Sequence, residues 1–120
     1  MLDIKVKDED NYTVCQPIGE LDAFSVSQFR RVLSELSNSP RLLIDMSEVP
    51  FIDSAGLGAL IGGIRNAREV GGDVAISCNR PTLVRLLRTT GFDRLVTVSE
   101  TVDQAAAALL EHNPEDSSRE

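Results

Sequence analysis

Ser54 stands where an apolar strand-like run ending in Phe51-Ile52-Asp53 gives way to a helical pattern opening on Ala55-Gly56-Leu57-Gly58. A hydroxyl at such a junction lies near backbone N–H groups without intrahelical partners and near the positive end of a helix dipole. Two chemistries could use that oxygen: nucleophilic attack, or acceptance of a phosphoryl group whose negative charge a helix start favours. The plain alternative is that Ser54 is an ordinary N-cap, contributing about 1 kcal/mol.

The nucleophilic reading lacks its partners. A serine nucleophile needs a base, usually a histidine oriented by a carboxylate. The single histidine, His112, stands beside a polar C-terminal run. A nucleophile elbow also wants glycine two positions before the serine, where this chain has Ile52. Two cysteines far apart and one histidine make no zinc set, and no glycine-rich phosphate loop of either standard kind is present. Asp22, Asp45 and Asp53 could in principle hold magnesium for phosphoryl chemistry. Asp45-Met46-Ser47, however, departs from the run of aspartates usual in such sites. No catalytic residue, metal or cofactor is expected. Arg80, Arg85, Arg88 and Arg94 form a mildly basic stretch, read as a solvated helix face, with contact to an acidic surface as the alternative.

The elements that must position Ser54 follow from periodicity. Leu2, Ile4 and Val6 alternate with polar residues as in a half-exposed strand, and Asp8-Glu9-Asp10-Asn11 turns the chain into a second run, Tyr12 to Ile18, giving a hairpin. After Gly19-Glu20-Leu21-Asp22, Val26, Phe29, Leu33 and Leu36 recur at helical spacing, with Ser25 and Gln28 as a capping box. Leu42-Leu43-Ile44 has the continuous apolar character of a strand buried on both faces. A helix from Ser54 to Val70 ends at Gly71-Gly72. Val74-Ala75-Ile76 is a further strand, Pro81 opens a helix stopped at Gly91, Leu95-Val96-Thr97-Val98 is a last strand, and Thr101 with Gln104 caps a final helix. Strands alternating with helices predict an α/β fold with a mostly parallel or mixed sheet of four to five strands and about four helices. In such sheets functional groups gather at the carboxyl ends of the strands, which would bring Asp22, Asp53, Ser54 and Asn79 to one edge.

The helix after Ser54 has an unusual surface. At about 100° per residue, Leu57, Leu60, Ile61 and Ile64 form the expected buried stripe, and Ala55, Gly58, Ala59, Gly62 and Asn66 the opposite, nearly bald side. Gly58, Gly62 and Gly63 should together cost roughly 2–3 kcal/mol relative to alanine. A smooth face open to a partner's backbone would offset that cost. So would packing of another part of this domain there.

The 120 residues carry a formal net charge of -7. That balance argues against nucleic acid and anionic membrane as partners and favours a partner with basic contact surface. Residues 1–111 fit one domain, and 112–120 read as a polar, disordered tail. Cys15 and Cys78 are too few for a secreted disulfide scaffold and read as buried thiols, with a redox link between them left open. The N-terminus has no signal-peptide pattern. No apolar run approaches the roughly 18–20 residues of a membrane span. A cytoplasmic location is expected.

Taken together these residues resemble the anti-sigma factor antagonists, whose domain is the STAS fold. The likeness runs from about Val14 to Leu110. It is carried by Gly19-Glu20-Leu21-Asp22, by Leu42-Leu43-Ile44-Asp45-Met46-Ser47-Glu48-Val49-Pro50-Phe51-Ile52-Asp53-Ser54-Ala55-Gly56-Leu57, by Cys78-Asn79 ahead of a helix, and by Thr90-Gly91-Phe92. The resemblance implies a non-enzymatic partner-switching module in which Ser54 is phosphorylated by the anti-sigma factor, a serine-protein kinase of the histidine-kinase-like ATPase fold. A PP2C-type phosphatase reverses the modification. The unmodified form captures the anti-sigma factor and frees the sigma factor. Asp22 and Asp53 carry over as residues flanking the site, and the expected contact surface comprises Asp22, Asp53, Ser54, Ala55, Gly56, Gly58, Ala59, Gly62 and Asn79. Two rivals are a constitutive STAS scaffold or sensor subunit, indifferent to Ser54→Ala, and an enzyme on the aspartates, whose phosphoester turnover Asp53→Asn would abolish.

Overall fold

A computed structural model describes residues 2–111; the expected polar tail, 112–120, lies outside the described residues. The elements run β1 (Asp3–Asp8), β2 (Thr13–Ile18), α1 (Val26–Glu35), β3 (Arg41–Asp45), α2 (Ser54–Glu69), β4 (Asp73–Ser77), α3 (Pro81–Thr89), α4 (Phe92–Leu95), β5 (Thr97–Ser99) and α5 (Val102–Glu111). The five strands form one sheet in the order β1-β2-β3-β4-β5. β1 and β2 are the antiparallel hairpin, closed by the Glu9 N–H donating to Tyr12 O at 2.8 Å. Every later pairing is parallel. The mixed α/β architecture is the one the alternation of elements predicts. Among the described residues no helix is long and apolar enough to cross a membrane.

Because β3 and β4 are apolar on both sides, helices cover both faces of the sheet. Phe29 and Leu33 of α1, Leu60 and Ile64 of α2, and Leu83 and Leu87 of α3 pack with Cys15, Leu42, Ile44, Val74 and Ile76 on one face. Ala105, Ala106 and Leu109 of α5 cover Leu43 and Ala75 on the other. One local expectation is corrected. Leu95 belongs to the short α4, not to the last strand, which begins at Thr97. Thr101 does cap α5, its Oγ1 accepting from Gln104 N at 3.1 Å.

On the α5 side the strand ends share a buried carboxylate. Asp45, 7% exposed, accepts from Gln16 Nε2 (2.9 Å), Ser47 N (3.0 Å) and Ser77 Oγ (3.2 Å), so one side chain joins β2, β3 and β4. A buried carboxylate is tolerable only when hydrogen-bonded in this way.

Cys15 and Cys78 are both buried free thiols. Cys15 on β2 faces Ile44 of β3, which faces Ile76 of β4. Ile76 thus stands two strand spacings from Cys15, about 9–10 Å, and Cys78 lies two residues further along, so the two cysteines are beyond the roughly 7 Å Cα limit of a disulfide. The redox link left open by the sequence is excluded within one folded chain. Burial pushes the Cys15 thiol up to about 12 from 9.0. The unfolded thiol therefore ionises from about pH 9 while the folded one keeps its proton. Above pH 9 the unfolded state binds fewer protons, and stability should fall by about 1.4 kcal/mol per pH unit toward pH 12. Urea unfolding at pH 8, 10 and 11 should show that decline, and Cys15→Val should reduce it to the part contributed by Cys78, whose thiol burial also pushes up. An unchanged slope in that variant would assign the decline elsewhere.

Candidate functional site

The carboxyl ends of β2 and β3 lead into two loops that are laced together. Gly19 N donates to Glu48 O (3.1 Å), Leu21 N to Phe51 O (3.0 Å) and Asp53 N back to Leu21 O (3.1 Å). Leu21 and Ile52 form an isolated parallel bridge, in effect extending the β2–β3 sheet into the loops. Both side chains are buried, so the two segments share the apolar floor beneath them.

Asp22 organises the first loop. Its Oδ1 accepts from Phe24 N (3.0 Å), Ser25 N (3.1 Å) and Ser25 Oγ (3.3 Å), and its carbonyl accepts from Ser25 N and Val26 N. The capping box expected from Ser25 and Gln28 is absent: Ser25 makes no side-chain cap, and its hydroxyl donates to Glu20 O at 2.8 Å. The aspartate three residues earlier does the capping instead, because the chain already turns helically from Asp22.

Asp53 is the N-cap of α2. Oδ1 accepts from Gly56 N at 3.0 Å and Oδ2 from Ala23 N at 3.2 Å, so one carboxylate both starts the helix and ties down the neighbouring loop. Ser54 is then the first helical residue, not the cap. Its side chain is exposed, and its hydroxyl has no hydrogen-bond partner among the described residues. The capping explanation for this serine is removed, since the cap has another occupant.

The face of α2 requires the largest correction. Ala59, expected on the open side, and Gly56, expected in the contact surface, are buried. A Cβ at Gly56 would lie 2.5 Å from Leu21 O and 2.7 Å from Ile52 Cγ1, and one at Gly63 would lie 2.6 Å from Leu33 Cδ1. The helix is rolled so that Gly56, Ala59, Gly63 and Ala67 face inward or toward α1, while Leu57 and Ile61 are only half-buried. Small side chains permit close helix approach, and close packing inside the domain outweighs exposure of a larger stripe. Part of the bald face is therefore explained by α1. Ala55 and Gly62 are half-buried and Gly58 is exposed; a Cβ would have no neighbour within 4 Å at Gly62 and only Arg30 at 3.9 Å at Gly58.

Asp22, Asp53 and Ser54 are thus brought together by hydrogen bonds and chain adjacency. Asn79, exposed after β4, shares the edge but lines a separate hollow with Glu100, Pro81 and Arg88. Asp45 lies with Val102 and Asp103 on the α5 side, apart from Asp22 and Asp53. Among the described residues no three His, Cys, Asp or Glu side chains converge as a metal set.

Sequence reasoning missed two aromatic side chains here. Phe24 is 97% exposed on the loop that Asp53 holds, and Phe51, 51% exposed, precedes the cap by two residues. The available signal was that Phe24 lies outside the α1 stripe of Val26, Phe29 and Leu33, leaving it without a place in the core.

A family model for the STAS domain matches residues 3–105. The anti-sigma-B factor antagonist of Bacillus subtilis is 27% identical over 99 residues, covering 82% of this chain and 91% of its own length. The crystal structure of an anti-sigma factor antagonist from Mycobacterium paratuberculosis superposes with a TM-score of 0.84 at 25% identity, over 91% of this chain and 94% of that one. A putative anti-sigma factor antagonist from Thermotoga maritima gives 0.82 at 24% identity, over 88% and 93%. With its sheet order, its laced loops and the matched span in agreement, this chain belongs to the STAS domain family.

Proposed function

We propose that this protein is an anti-sigma factor antagonist, a binding module and not an enzyme, whose unmodified form holds an anti-sigma factor and releases the sigma factor. Phosphorylation of Ser54 by that anti-sigma factor, acting as a serine kinase of the histidine-kinase-like ATPase fold, ends the interaction, and a PP2C-type phosphatase restores it. The observation that carries this reading is an exposed, unbonded Ser54 hydroxyl at the start of α2, beside a carboxylate already committed to capping. A kinase can reach that oxygen without unfolding the helix start. The solvent-exposed ring of Phe24 next to it has the character of the aromatic anchors that dominate interfaces.

Incubation with ATP and the candidate kinases of the same cell should place one phosphate on Ser54, read by mass spectrometry, and none on Ser54→Ala. Failure of every such kinase to modify Ser54, or normal sigma-factor control in cells carrying Ser54→Ala, would favour the constitutive scaffold. The accessible glycines supply a second test. Gly58→Ala and Gly62→Ala each have room for the methyl group, so each should stabilise the isolated domain by about 0.5–1 kcal/mol. If the partner's backbone rests on this helix, the same variants should bind the anti-sigma factor more weakly. Stabilisation with unaltered binding would remove Gly58 and Gly62 from the contact surface.

A further inference from the structure

The segment leading to Ser54, Pro50-Phe51-Ile52, borders a groove of about 330 Å³. Pro50, Phe51 and Ile52 form one wall, and Leu83 and Leu86 of α3 the other, with Arg85 among the lining residues. The volume sits at the low end of the roughly 300–1,000 Å³ typical of ligand pockets, suited to one or two apolar side chains. The polar groups on its lining are few: Thr82, Thr89 and the Arg85 guanidinium.

Charge distinguishes this face from the rest of the surface. The chain as a whole is -7, yet from Val74 to Phe92 there are three arginines, Arg80, Arg85 and Arg88, and no acidic residue. Arg85 and Arg88 are exposed and make no ion pair among the described residues, where the single ion pair is Lys7–Glu9. An apolar trough with the uncompensated Arg85 on its lining, on an otherwise acidic protein, complements an apolar side chain next to a carboxylate. The groove is also continuous with the Ser54 surface. Phe51 O accepts from Leu21 N, and the next residue but one is the Asp53 cap.

We propose that this groove is a second docking point for the anti-sigma factor, receiving an apolar side chain from an acidic segment of that protein while Ser54 and Phe24 meet its main surface. The proposal rests on the functional reading above. It predicts a bipartite interface whose α3 half is sensitive to salt and indifferent to phosphate.

The test measures binding of the purified cognate kinase to the unmodified full chain, to Arg85→Glu, to Arg85→Lys and to Thr82→Trp, at low and high salt. Thr82 and Arg85 are exposed, and matched thermal unfolding confirms that each variant is folded. Arg85→Glu and Thr82→Trp should each weaken binding on the order of tenfold at low salt. Arg85→Lys should retain most of it, and Arg85→Glu should lose the salt dependence of the parent. Parent-like affinity of both Arg85→Glu and Thr82→Trp overturns the groove assignment. The phosphorylated parent, included in the series, separates the two ideas. Release by phosphate with intact groove variants sinks only the groove. Weakened groove variants with no effect of phosphate sink only the switch. A parent that binds none of the kinases of its own cell removes the functional reading and the groove with it.

Discussion

Phosphorylated at Ser54, the protein should bind its anti-sigma factor roughly five- to thirtyfold more weakly than the unmodified form, or worse. The modification adds about -1.5 to -2 charges at one exposed oxygen, directly beside Asp53 and near Asp22. Repulsion within the chain is common to free and bound forms, so the loss comes from across the interface. There one like-charge pair with a group of the partner at about 4 Å and an effective dielectric near 20 is worth about 4 kcal/mol. Retaining only a quarter to a half of that after screening still gives about 1–2 kcal/mol, which is the stated range of affinity. The phosphate should not unfold the domain, because a negative group at a helix start is favoured by about 0.3–1 kcal/mol. Calorimetric titration of genuine phosphoserine protein is the appropriate measurement. Ser54→Asp carries less charge and should produce a smaller loss. Equal affinities of the modified and unmodified forms would end the switching model.

Gly56→Ala should be among the most destabilising methyl additions available in this chain. The added carbon would meet the Leu21 carbonyl oxygen at 2.5 Å and Ile52 Cγ1 at 2.7 Å. Neither neighbour can retreat: Leu21 O is held by Asp53 N at 3.1 Å, and Ile52 is bridged to Leu21 in the buried floor. Alanine gains roughly 1 kcal/mol over glycine in a helix, but overpacking against fixed backbone costs about 1–3 kcal/mol and occasionally more. A net loss of about 1–2 kcal/mol is expected by urea unfolding, opposite in sign to Gly62→Ala six residues on. A neutral result would mean that α2 slides outward at its first turn, and the Asp53–Gly56 capping bond should then be lost as well.

The architecture was legible because each strand and helix carried its own period: the continuous run Leu42-Leu43-Ile44, the Pro81 start and Gly71 stop, and the Thr101–Gln104 cap all stand as expected. The gathering of Asp22, Asp53 and Ser54 followed from parallel strands sharing a carboxyl edge. The roll of α2 did not, because periodicity ranks hydrophobicity whereas the helix pair is governed by how closely Gly63 lets Leu33 approach. The exposed ring of Phe24 was hidden for a related reason. A sequence reveals that phenylalanine tends inward, and only the Asp22 turn, with its three accepted hydrogen bonds, shows why this one cannot follow.

The backbone hydrogen bonds that lace the loops after β2 and β3, with the Asp53 clasp on Ala23, tie together the ground under Ser54. If that ground keeps one shape when a partner binds, no equilibrium between alternative forms dilutes the response. The ratio between on and off forms is then fixed by the interface alone and not by a fraction of competent molecules. A switch of the proposed kind would then trade amplification for speed, answering as fast as a phosphate arrives or leaves.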